Sequence, residues 1–145
     1  MPQLHAYLAY DGNCADAMKF YARVLGAKLD ALITYGQMPA DSSDQPMPAE
    51  FADRVMHAYL VHKDFALMAG DTPPGEQYKG IQGVSMTLSY PTAAEGRRVF
   101  AALAEGGTVT MPVSETFWAD SFGMLIDRFG TPWAVNGGMK PRPQL

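Results

Sequence analysis

The chain has 145 residues and a net charge of −4, from 11 Lys and Arg against 15 Asp and Glu. That length gives one compact domain with a real core, and the absence of any basic run excludes the electrostatic footprint of a nucleic-acid binder. No apolar stretch is long enough for a bilayer, MPQLHAYLAYDG lacks the basic and apolar regions of a signal peptide, and the one cysteine cannot form an internal disulfide, so the expected location is the cytoplasm.

Gln3–Tyr10 alternates with period two and predicts a strand. Asp11-Gly12 is a turn, and Asn13 is placed to cap a helix running to about Leu25. Ala17, Phe20, Tyr21, Val24 and Leu25 share one face of that helix, and Gly26 stands where a left-handed cap belongs. Lys28–Tyr35 predicts a second strand. Gly36–Asp53, with three prolines and several serines and aspartates, breaks every period and reads as a candidate lid. Arg54–His62 and Phe65–Gly70 predict a hairpin about Lys63-Asp64.

After a Pro/Gly-rich connector, Val84–Tyr90 predicts another strand. Thr92, with Glu95 three residues on, forms a capping box for a second helix. Val99, Phe100, Leu103 and Ala104 make that helix's buried face, and Gly106-Gly107 ends it. Thr108–Met111, Phe122–Ile126 and Pro132–Val135 predict the last strands, the final two joined by a tight turn at Asp127–Gly130 with Gly130 at positive φ.

The two halves repeat the order strand, helix, strand, strand, strand. Tyr10 and Tyr90 close the first strands, and Phe20-Tyr21 matches Val99-Phe100. The fold class is therefore α+β: two βαβββ modules with pseudo-twofold symmetry, forming a curved mixed sheet around a cleft. Module one covers 1–71, the connector 72–83, module two 84–137 and a tail 138–145.

Three segments, YDGNCADAMKFYARVL (10–25), VMHAYLVHKDFALMAGD (55–71) and ETFWADSFGMLIDRFGTPWAVN (115–136), give the chain a family likeness. It resembles the PhnB-like members of the vicinal oxygen chelate superfamily, which groups glyoxalases, bleomycin-resistance proteins and extradiol dioxygenases. The resemblance implies a homodimer and a cleft that takes a small molecule. It also implies four metal-ligand positions in the metal-dependent members, which fall here on His5, on Met68 or Ala69, on Ser85 and on Ala134. Only His5 is a good ligand, and a catalytic first-row metal wants about three protein ligands. The expectation is a scaffold with no metal and no cofactor. Similar proteins have carried a demethylubiquinone methyltransferase label, but Asp11-Gly12-Asn13 offers one glycine where a nucleotide-binding turn needs several.

The candidate catalytic residues are Glu115 and His57. Histidine titrates near neutral pH, and a carboxylate flanked by Phe117 and Trp118 suits a base. The plainer alternatives are a half-buried histidine bonded to backbone and a loop carboxylate bonded to amides or to a cation. The candidate ligand-binding residues are His5, Tyr7, Tyr35, Phe117, Trp118, Trp133 and Asn136, where the aromatics either stack on a flat organic molecule or belong to the core. His62 reads as a solvated turn residue. Cys14, in the first turn of a helix, is either an activated thiol or a small residue that fits there. Three function classes stay open: a metal-independent binder of an aromatic or amphipathic molecule, an enzyme using His5, His57 and Glu115, and an interaction module without a ligand.

Overall fold

The computed structural model describes residues 2–37 and 48–141. It divides into two compact units, 1–80 and 81–145. The first contains β1 (Ala6–Tyr10), α1 (Cys14–Leu25), β2 (Lys28–Thr34), β3 (Val55–Val61) and β4 (Ala66–Asp71). The second contains β5 (Met86–Tyr90), α2 (Ala93–Ala104), β6 (Thr108–Ser114), β7 (Ala119–Ile126) and β8 (Pro132–Met139). Each unit is a βαβββ module with a four-stranded mixed sheet, and the strand orders β1-β4-β3-β2 and β5-β8-β7-β6 are the same order repeated. In both, the first strand runs parallel to the last and the remaining pairs are antiparallel.

The alternation of each strand puts one set of side chains under the helix. In the first unit Leu8, Ala58, Leu60, Leu67 and Ala69 meet the buried face of α1, which is Cys14, Ala17, Met18, Phe20, Tyr21 and Leu25. Val24, expected there, is half-buried. Tyr10 and Tyr21 are fully buried and satisfy each other through their hydroxyls at 3.1 Å. In the second unit Val99, Phe100 and Leu103 of α2 cover the face that carries Leu125, Trp133 and Val135. Ala104 of the same helix is half-buried.

Several expectations change. Asn13 precedes α1 but makes no side-chain cap; its Oδ1 accepts from the Asp11 amide instead. The cap comes from Asp71, far away in sequence. Its Oδ1 accepts from Gly12 N at 2.8 Å and Cys14 N at 3.1 Å, and its Oδ2 from Val55 N at 2.8 Å. Thr92 caps α2 as expected, accepting from Glu95 N at 3.2 Å. Gly26 and Gly130 have positive φ as expected. The strand β6 continues to Ser114, through Pro112, which an edge strand tolerates because its N–H is not needed there. The strand β7 begins at Ala119, ahead of the expected start at Phe122, and β8 continues past the expected end at Val135, through Asn136 and two glycines to Met139. Most of the expected lid, 38–47, lies outside the described residues; its ends are short 3-10 turns at Tyr35–Gln37 and Ala49–Phe51.

Candidate functional site

On the first unit's sheet the face away from α1 carries Tyr7, Tyr59 and Met68, which lie side by side across β1, β3 and β4. The register separates the two β4 residues by face. Met68 shares the face of Tyr7, and Ala69 is buried under α1. His57 stands beside Tyr7, with the rings stacked at 5.8 Å and the Tyr7 hydroxyl 3.4 Å from His57 Nδ1. The Tyr7 hydroxyl also donates to the Met56 carbonyl at 3.1 Å.

Tyr7 and Tyr35 line one hollow of about 230 Å³ together with Met56, Gly70, Thr72 and Glu76. Gly70 is required there, since a Cβ would lie 2.7 Å from the Met56 carbonyl oxygen and 2.9 Å from the Tyr7 hydroxyl. Tyr35 is 9% exposed and donates to the Asp71 carbonyl at 2.8 Å. Burial raises the pKa of both phenols, so both are protonated at neutral pH. His5 belongs to a different hollow of the same unit, about 520 Å³, with Tyr59, His62 and Phe65. Its ring is 6.3 Å from that of Tyr59. His62 is not simply solvated: it stacks on Phe65 at 4.4 Å, and its Nδ1 accepts from the Asp64 amide.

The other candidates belong to the second unit. Glu115 is an exposed loop carboxylate 3.3 Å from Lys140 Nζ, which is the plainer of its two readings. Phe117 is 78% exposed and meets Trp118 edge-on at 4.8 Å. Trp118 packs edge-on against Phe122 and donates from Nε1 to Asn136 Oδ1 at 2.9 Å. Asn136 Nδ2 donates to Ser89 Oγ at 3.3 Å, so both ends of this amide are engaged. Trp133 does not stand where a stacking residue must. It is 1% exposed, on the α2 face, and its indole N–H donates to Asp127 Oδ2 at 2.8 Å. Asp127 is structural as expected, and its Oδ1 also accepts from the Phe129 and Thr131 amides.

Cys14 is not an activated thiol. It is wholly buried, and burial together with the nearby Asp71 carboxylate pushes its pKa up to about 12. The helix N-terminus would lower the pKa, but this end is already occupied by Asp71, and desolvation outweighs the dipole.

The model of the Glyoxalase/Bleomycin resistance protein/Dioxygenase superfamily matches residues 3–135. The chain belongs to that superfamily. Among similar superfamily chains, Protein YjdN of Escherichia coli (strain K12) is 36% identical over 138 residues, covering 92% of this chain and 93% of YjdN. The crystal structure of protein PA1353 from Pseudomonas aeruginosa has a TM-score of 0.83 and 47% identity, covering 94% of this chain and 97% of that one. A Bacillus cereus PhnB protein, described as a putative 3-demethylubiquinone-9 3-methyltransferase, shares the fold with a TM-score of 0.74 at 21% identity, over 93% and 98% of the two chains.

The positions that the family likeness implies as metal ligands carry one imidazole (His5), one thioether (Met68), one hydroxyl (Ser85) and one methyl (Ala134). This set does not fit a first-row ion. Among the described residues no three His, Cys, Asp or Glu side chains come together as an alternative.

Proposed function

We propose that this superfamily member binds a small organic molecule, aromatic or amphipathic, without a resident metal. The observation that carries the reading is the hollow lined by Tyr7, Tyr35 and Met56, held open by Gly70. An apolar lining with a few fixed polar atoms is what small-molecule sites are made of. The methyltransferase name of the B. cereus protein does not transfer, because the turn between β1 and α1 has the single glycine Gly12. The homodimer and the cytoplasmic location expected from the sequence belong to the same proposal.

Thermal-shift screening with aromatic and amphipathic compounds tests it. A ligand at a hundred times its Kd adds about 2.7 kcal/mol, which is several degrees in Tm for a chain of this size. Ala9→Trp, at an exposed position of the lining, should fill the hollow and abolish the shift. A flat response across the library would defeat the reading.

A second reading, an acid–base enzyme, has one observation of its own: the contact between Tyr7 and His57 Nδ1. With its proton given to Met56, Tyr7 accepts from Nδ1–H and leaves His57 Nε2 as a base. Turnover of a bound compound that disappears in His57→Gln while binding persists would favour it.

A further inference from the structure

Hydrogen-bonding capacity in the Tyr7–Tyr35 hollow is one-sided. A hydroxyl has one proton to give. The Tyr7 proton goes to the Met56 carbonyl at 3.1 Å, the Tyr35 proton to the Asp71 carbonyl at 2.8 Å, and the Thr72 proton to the Tyr10 carbonyl at 3.0 Å. All three lining hydroxyls therefore reach the hollow with lone pairs only. Among the described residues the other lining side chains are apolar (Ala9, Met56, Pro73) or acidic (Asp71, Glu76).

The two acids differ. Asp71 is 3% exposed, and its oxygens accept from the Gly12, Cys14 and Val55 amides, so its place is fixed. Glu76 is exposed and has no ion-pair partner among the described residues. The nearby cation, Arg54, is already paired with Asp11 at 2.9 Å and lies over the Phe51 ring at 4.6 Å. Burial first, and then the carboxylates of Asp71 and Glu76, favour the neutral Tyr35 phenol, with Arg54 opposing; Tyr7, itself a neutral phenol at neutral pH, brings no charge there. Apart from Arg54, the charged groups among the described residues that act on that hydroxyl are negative.

We propose that the hollow takes an organic cation: an ammonium group, primary to quaternary, on a small apolar body, with its charged head among the two tyrosines and Glu76. Such a head supplies the N–H or polarised C–H donors that the lining lacks, and aromatic rings with a carboxylate suit it. An anion or a pure acceptor would bring lone pairs against lone pairs. This inference rests on the proposed function and narrows its ligand class.

The test uses the full chain and a pair of probes with one shape, choline and its neutral carbon isostere 3,3-dimethylbutan-1-ol. Titrations follow the tyrosine ring resonances, assigned with Tyr7→Phe and Tyr35→Phe. Choline should bind at least about tenfold more tightly than the alcohol. Glu76→Gln should weaken choline severalfold and leave the alcohol unchanged; Glu76 is exposed in a connecting segment, so the variant keeps the fold. Equal affinities, no response to choline, or choline binding indifferent to Glu76→Gln would each overturn the inference. In those cases neutral aromatic ligands that still shift Tm, and lose the shift in Ala9→Trp, would keep the broader small-molecule reading standing.

Discussion

Two buried groups of the first unit meet the same carboxylate with opposite consequences. Asp71 accepts three backbone N–H groups from two chain segments, the turn into α1 and the start of β3. Hydrogen bonds to a charged group contribute about 1.5–3 kcal/mol each, and an orphaned buried donor costs a further penalty. Asp71→Ala should therefore cost about 3–5 kcal/mol, against less than about 0.5 kcal/mol for the exposed Asp30→Ala; urea denaturation measures both. For Cys14 the Asp71 charge acts the other way and helps hold the thiol protonated. The pKa is about 12 in the fold against 9.0 for an ordinary thiol. Below pH 9 both states are protonated and the fold keeps its full stability. Between pH 9 and about 12 the unfolded chain releases its proton first, so this contribution is lost as pH rises. Cys14→Ala should flatten the alkaline decline seen by denaturation at several pH values. The native thiol should also resist a disulfide reagent at pH 8 while the unfolded chain reacts at once.

Helices reach their sheets in this molecule by bare backbone as well as by apolar stripes. Gly96 of α2 faces Gly137 of β8 so closely that a Cβ on Gly96 would lie 2.9 Å from the Gly137 Cα, and one on Gly137 would lie 2.7 Å from the Thr92 carbonyl oxygen. Alanine at Gly96 gains about 1 kcal/mol of helix propensity, but overpacking against backbone costs about 1–3 kcal/mol. The clash has no flexible side chain to yield, so Gly96→Ala should lower stability by about 1–2 kcal/mol on balance. Gly137→Ala should do likewise, and the double variant should be non-additive because a displacement of α2 relieves the Gly96 clash together with the Thr92 part of the Gly137 clash, leaving its contact with Ser121 Oγ. Thermal denaturation of the set decides it; additive or neutral effects would contradict the packing. This contact also explains what was legible in the sequence and what was not. The repeated element order, the helix faces and the Thr92 cap follow local periodicity, so they could be read directly. The long reach of β8 could not, because Gly137 makes sense only under α2. Asp71 stands where the first module meets a Pro/Gly-rich connector, and its capping role needs the parallel pairing of β1 with β4. Trp133 was misassigned for a reason of register. Neighbours in a strand face opposite ways, so if Ala134 lies on a ligand face then Trp133 belongs to the core. Gly70, Met56 and Glu76 were missed because no pattern in the sequence marks a hollow made from three strands and a connector.

At the scale of the whole chain, the same module topology appears twice, while the superfamily's metal-ligand positions carry different chemistry here. In the first unit they hold His5 and Met68, in the second Ser85 and Ala134. One imidazole does not hold a divalent ion against water, whereas three or four protein ligands do. Protein purified without chelator or affinity tag should therefore carry far less than one equivalent of zinc, nickel, manganese or iron per chain. Ligand donors act together, so removing His5 tests the set better than metal content alone. His5→Ala should leave both metal content and Tm unchanged, and added zinc should not raise Tm in either protein. Stoichiometric metal lost in His5→Ala would mean that donors from elsewhere complete the site, and the metal-free reading would fall.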